Sequence, residues 1–256
     1  MLGAIAGDII GSTYEHLAYK RKEFPLFQER SRFTDDSVLT IAVADAILNS
    51  RSYVEAVHDL GNRYPNAGYG GRFRRWLYSP DPQPYDSWGN GSAMRVSPVG
   101  FAFDAEEEVL TEAEKSAAIS HDHPEGIKGA QAAALAVFLS RQGVDKESLR
   151  ARIAEQFEYD MDRTVDEIRP RYCFEVSCQE TVPEAIIAFL DSESYEDAVR
   201  NAVSLGGDAD TLACITGAIA EAFYGGVPEE IAEEALGFLP PDLREITDEF
   251  ETKFHR

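Results

Sequence analysis

The apolar positions of this chain recur at three- and four-residue intervals almost from end to end, which is the helical period. Leu2, Ile5, Ala6, Ile9 and Ile10 predict a first helix from Leu2 to Tyr14, ending near Glu15 and His16. Gly3, Gly7 and Gly11 repeat every four residues along it, leaving one face without side chains where another backbone can approach closely. After a mixed, basic loop from Tyr19 to Arg32, Val38, Ile41, Ala42, Ala44 and Leu48 predict a helix from Thr34 to Asn49. Further helices are expected over 53–64, 72–78, 106–120, 124–141, 146–157, 181–190, 195–204 and 212–223, with acidic surface helices over 228–239 and 241–254. Residues 79–88 are proline-rich loop, the turn at 88–95 feeds a helix through Phe103, and 159–177 is less regular. Several alternating runs of β-branched residues, the mark of a sheet, are missing. The pattern predicts an all-α fold, one compact multi-helix domain over residues 1–256.

Composition narrows this picture without changing it. Hydrophobic residues make up 44% of the 256, enough for a substantial core. The net charge of -22 disfavours nucleic acid and anionic membranes as partners, so any anionic ligand needs a local site. Cys173, Cys178 and Cys214 have the spacing of neither a disulfide framework nor a zinc knuckle. They are expected as reduced thiols of a cytoplasmic protein, Cys214 being buried in its helix. The first residues lack a basic segment and carry Asp8, a poor signal peptide, and no apolar run is long enough to span a bilayer.

Two clusters stand out from the helical background. Ser204-Leu-Gly-Gly-Asp-Ala-Asp-Thr211 uses two glycines to turn, then gathers Asp208, Asp210 and Thr211 where the next helix begins. Thr34-Asp35-Asp36 does the same at the start of an earlier helix. Each alone is explained by helix capping and the positive end of the helix dipole. Together they offer four carboxylates and two hydroxyls, hard oxygen ligands that suit Mg²⁺, Mn²⁺ or Ca²⁺ better than zinc or copper. The turn Gly89-Asn90-Gly91-Ser92 reads either as an anion cradle or as a plain N-cap. By themselves Glu15 reads as a helix-end charge and His121 as a structural histidine, while His16, His58, His123 and His255 read as surface or helix-end residues. Tyr69, Phe73, Trp76 and Trp88 read as core or loop anchors.

Taken in order, Gly7-Asp8…Glu15, Thr34-Asp35-Asp36, Gly89-Asn90-Gly91-Ser92-Ala93-Met94-Arg95, Ser120-His121 and Gly206-Gly207-Asp208-Ala209-Asp210-Thr211 resemble the ADP-ribosylglycohydrolase family, the group of dinitrogenase reductase activating glycohydrolase and the ADP-ribosylhydrolases. The resemblance implies an all-α enzyme with a binuclear Mg²⁺ or Mn²⁺ centre that hydrolyses the bond between ADP-ribose and an acceptor. The acceptor would be a protein side chain such as arginine or serine, or a small ADP-ribose conjugate. By position it implies Thr34, Asp35, Asp36, Asp208, Asp210 and Thr211 as metal ligands, and Glu15, with Asp35 and Asp210, as catalytic. Gly89, Asn90, Gly91, Ser92 and Met94 would cradle diphosphate and distal ribose, His121 would line the nucleotide site, and Glu15 would also touch substrate. Tyr69 or Phe73 is the expected stacking face for adenine.

Two rival readings are open at this point. His58-Asp59 and His121-Asp122 suit an HD-type metal phosphohydrolase, which would leave Thr34-Asp35-Asp36 without a role. A non-catalytic, ADP-ribose-binding member of the same fold would keep the helices without turnover.

Overall fold

A computed structural model describes residues 1–254; the expectation for His255 lies outside them. The described chain runs through α1 (Leu2–Gly11), α2 (Asp35–Asn49), α3 (Tyr53–Arg63), α4 (Gly71–Leu77), α5 (Gly91–Met94), α6 (Ser97–Ala102), α7 (Glu106–Ala118), α8 (Pro124–Arg141), α9 (Lys146–Phe157), α10 (Val165–Ile168), α11 (Cys178–Leu190), α12 (Tyr195–Leu205), α13 (Ala209–Tyr224), α14 (Glu229–Gly237) and α15 (Pro241–Phe254). Among the described residues the only β pairing is an isolated antiparallel bridge between Gly89 and Ser177. One hydrophobic cluster extends from Met1 to Phe250, so the fold is all-α around a single core. Among the described residues no helix is long and apolar enough to cross a membrane.

The central contact is α1 against α13. A Cβ added at Gly3, Gly7 or Gly11 would lie 2.4, 2.0 or 2.5 Å from the backbone carbonyl oxygen of Gly217, Ala213 or Ala209 respectively. The bare face predicted from the glycine spacing is therefore filled by helix backbone, and no other residue type allows that approach. This contact carries Asp8 to the beginning of α13 and α2.

Three expectations are corrected. The first helix stops at Gly11, after which residues 12–16 form turns and His16 takes a left-handed φ of 62°. The helix expected through Phe103 is broken into α5 and α6, because Pro98 has no N–H to give the carbonyl of Met94. That carbonyl instead accepts from Thr40 Oγ1 at 3.2 Å and Cys214 Sγ at 3.4 Å. The acidic helices α14 and α15 are not simply a solvated face. They bury Ile231, Ala235, Leu243, Thr247 and Phe250, and pack on α1 and α2 respectively.

Candidate active site

The loops that enter α2 and α13 meet at the floor of one cavity of about 470 Å³. Carboxylate oxygens of Asp8, Asp36 and Asp210 lie within 4.8 Å of one another, as do those of Glu15, Asp208 and Asp210. Residues about 170 positions apart in sequence thus share one acidic centre. Thr34, Asp35 and Thr211 also line the cavity, with Thr34 and Thr211 buried and Asp35 partly exposed.

Local hydrogen bonds explain the placement. Asp8 accepts from the Thr34 backbone N–H (2.8 Å), Thr34 Oγ1 (2.6 Å), the Ser37 backbone N–H (3.1 Å) and Ser37 Oγ. A carboxylate has about four acceptor positions. Three of these bonds fall on Oδ2 and one on Oδ1, so Asp8 anchors the start of α2 and has room for a further partner only at Oδ1. Sequence reading gave Asp8 no role, although an acid inside an apolar glycine-striped helix was the available signal. The Glu15 turn is pinned to the Asp208 turn by two backbone bonds. His16 N–H donates to Gly207 O at 3.0 Å and Gly207 N–H donates to Leu17 O at 3.3 Å. Gly206 and Gly207 hold φ of 73° and 79°, the left-handed region that the Gly-Gly pair permits.

Capping accounts for one cluster and not the other. Thr34 accepts from Asp36 N–H as an ordinary N-cap. Asp208 stands at the N-cap of α13 but makes no side-chain cap bond. Its Oδ2 accepts from Asn90 Nδ2 at 2.7 Å, so Asn90 spends its amide on a carboxylate.

Among the described residues, none of Asp8, Asp36, Asp208 and Asp210 pairs with Lys or Arg, and Asp36 Oδ1 is buried without a hydrogen-bond partner. Such a set of buried anions fits hard divalent cations. Burial, reinforced by mutual repulsion, raises the carboxyl pKa of Asp36 and Asp210 well above the ordinary value. Asp35 is pushed up to about 8 by burial and then by Asp8, and Asp8 to about 6 by burial against its four hydrogen bonds. A folded-state pKa raised above the unfolded value stabilises below the unfolded pKa and is lost as pH climbs through the folded one. The metal-free protein is therefore expected to lose thermal stability between pH 5 and pH 8, and added Mn²⁺ is expected to reverse this most strongly at pH 8. A melting temperature that rises over that interval in EDTA would contradict the burial of these acids.

The far wall is formed by Gly89, Asn90, Gly91, Met94, Arg95 and His121, with Arg72, Phe73, Tyr85 and Phe174 around them. Ser92, expected here, turns away: its Oγ donates to Gly126 O at 2.7 Å and seats α5 on α8. Tyr69 is 3% exposed and does not reach the cavity, whereas Phe73 does. Tyr69 packs at a tilt behind Phe73, which stacks on Trp76 with centroids 5.2 Å apart. His16, expected as an ordinary surface residue, lies on the rim with Nε2 3.1 Å from Glu15 Oε1 and its ring 4.5 Å from that of Phe174. Phe174 came from the irregular stretch and carried no sequence signal. His58 and Asp59 line a separate surface groove, so the two His-Asp dipeptides do not share a site.

The profile of the ADP-ribosylglycohydrolase family matches residues 1–256. ADP-ribosylhydrolase ARH3 of Mus musculus is 28% identical, over 95% of this chain and 88% of its own length. ADP-ribosylarginine hydrolase Tri1 of Pseudomonas putida (strain GB-1) is 27% identical, over 91% of this chain and 72% of its own. A solved structure, an ADP-ribosylglycohydrolase-related protein complex, superposes with a TM-score of 0.74 at 25% identity, covering 100% of this chain and 96% of that one.

Proposed function

This chain belongs to the ADP-ribosylglycohydrolase family and is a hydrolase, and from that premise we propose that it releases ADP-ribose from a modified acceptor with a binuclear Mg²⁺ or Mn²⁺ centre. The observation that carries the reading is the meeting of the two carboxylate groups, from α1, α2, the Glu15 turn and α13, on the floor of one cavity. Asp35, Asp36, Asp208 and Asp210 would hold the cations, with the hydroxyl oxygens of Thr34 and Thr211 completing the set. When bound, the cations would supply positive charge that offsets these carboxylates and orients oxygen ligands.

The protein's own side chains do the rest. Glu15 is one of the partly exposed acids of the centre, with 26% of its side chain exposed, so water entering the cavity can reach it. Its charge steadies the oxocarbenium-like state as the bond from the anomeric carbon to the acceptor breaks, and it takes the proton of the attacking water and returns it to the departing acceptor. Asp35 and Asp210 line the same cavity, and their charges add to the same stabilisation. Asn90 fixes the orientation of Asp208. Gly89, Gly91, Met94 and His121 form the wall on which diphosphate and distal ribose rest, and Ser92 holds that wall in place from behind. Phe73 offers an apolar face for adenine. The arginine linkage named for Tri1 makes ADP-ribosylarginine the first acceptor to try, with serine linkages and small conjugates next. The three free thiols support the cytoplasmic location.

The test is release of ADP-ribose from a panel of linkages with Mn²⁺ or Mg²⁺ and an EDTA control. Release should need metal, and Asp35→Ala and Asp210→Ala should weaken Mn²⁺ binding in a calorimetric titration. Release that persists in EDTA would sink the metal centre, and no release from any linkage would sink the reaction.

A further inference from the structure

Arg95 is the largest fully buried side chain of the protein, and among the described residues it has no carboxylate partner. Its Nη2 donates to Ser116 O at 2.7 Å and to Ser120 Oγ at 3.1 Å, while Nε and Nη1 have no partner. Ser120 Oγ in turn lies 2.8 Å from His121 Nδ1, and both residues are buried. The direction of this chain follows from chemistry. A guanidinium can only donate. The Ser120 hydroxyl accepts from Arg95 and still carries one proton, for which His121 Nδ1 is the neighbouring acceptor. Among the described residues the buried Ser120 hydroxyl has no other acceptor in reach, so the arrangement that leaves its proton paired makes Nδ1 the lone-pair nitrogen of a neutral ring. The ring proton sits on Nε2, beside the Gly89–Gly91 turn: a Cβ at Gly91 would be 3.2 Å from Nε2.

We propose that Arg95 and Ser120 are positioning residues that lock His121 in the Nε2–H tautomer, so that the ring donates a hydrogen bond into the cavity. The opposite tautomer would aim a lone pair at an anionic ligand. The lock makes this wall selective for acceptor oxygens, such as those of a diphosphate, and it spares the ligand the free energy of selecting a tautomer. That the oxygens belong to ADP-ribose rests on the proposed function; the tautomer does not.

The test is therefore begun without ligand. In protein labelled with ¹⁵N at histidine, the His121 signals are identified by their loss in His121→Gln. A pyridine-type shift at Nδ1 and a pyrrole-type shift at Nε2 are expected in the wild type, a mixture of tautomers in Ser120→Ala, and the wild-type pattern again in Ser120→Thr. ADP-ribose affinity should fall about 3- to 10-fold in Ser120→Ala, the size of one neutral hydrogen bond. Ser140→Ala, which removes a buried hydroxyl without a partner, should leave it unchanged. A protonated Nδ1 in the wild type, or a Ser120→Ala ring as uniform as the wild type, overturns the lock, and the wild-type spectrum decides even if the variant does not fold. Failure of the wild type to bind ADP-ribose at all would instead strike the proposed function.

Discussion

Glu15→Gln is expected to keep the fold and bind Mn²⁺ yet lose about 10²- to 10⁴-fold in turnover, the range of a positioned proton-transfer group. Glutamine preserves the volume and one oxygen of the side chain but can neither take a proton nor offset positive charge. The loss should fall on kcat more than on KM, because the interaction is made chiefly as the glycosidic bond breaks. Metal should survive because the acids proposed to hold it, Asp35, Asp36, Asp208 and Asp210, all remain in the variant. Paired titration and steady-state kinetics separate the outcomes. Near-normal turnover would remove Glu15 from the mechanism, and loss of metal would make it a ligand first.

Gly7→Ala should be the most damaging single methyl group in the molecule. Its Cβ would stand 2.0 Å from Ala213 O and 2.5 Å from the Ala213 carbonyl carbon, and backbone cannot rotate aside as a side chain can. Overpacking a core costs about 1–3 kcal/mol, and more where rigid groups collide, so about 3 kcal/mol or more is expected. For a chain of this size that corresponds to a melting temperature lower by about 6–12 °C. The effect should spread to the site, since prising α1 from α13 moves Asp8 away from Thr34 and Ser37. Gly237→Ala, where an added Cβ meets nothing within 4 Å, is the control and should stay within about 0.5 kcal/mol of wild type. Equal melting temperatures for the two variants would mean that the α1–α13 contact is not backbone-tight.

The same two helices show what could be read in advance and what could not. The all-α class, the near bounds of α2, α8, α9, α12 and α13, and the oxygen clusters at Thr34–Asp36 and Asp208–Thr211 were legible in the sequence. Helical period, capping residues and ligand chemistry are written within a few neighbouring residues. The C-terminal helices were misread because their acidic outer faces dominate the composition, while their buried stripes depend on α1 and α2 to cover them.

Only the tertiary structure decided how heavily each acid is hydrogen-bonded. Asp8 and Asp36 look alike in sequence, but Asp8 accepts four hydrogen bonds, three of them on Oδ2, and Asp36 Oδ1 accepts none. Asn90 and Ser92 stand two residues apart in one turn, yet one orients a carboxylate and the other grips a neighbouring helix. His16 and Phe174 meet at the rim across 158 positions of chain, a contact with no local trace. Periodicity fixes which side of a helix turns inward. It does not say what arrives there, because a side chain's partner is chosen by packing between segments distant in sequence, and hydrogen-bond saturation, burial and tautomer follow from that choice.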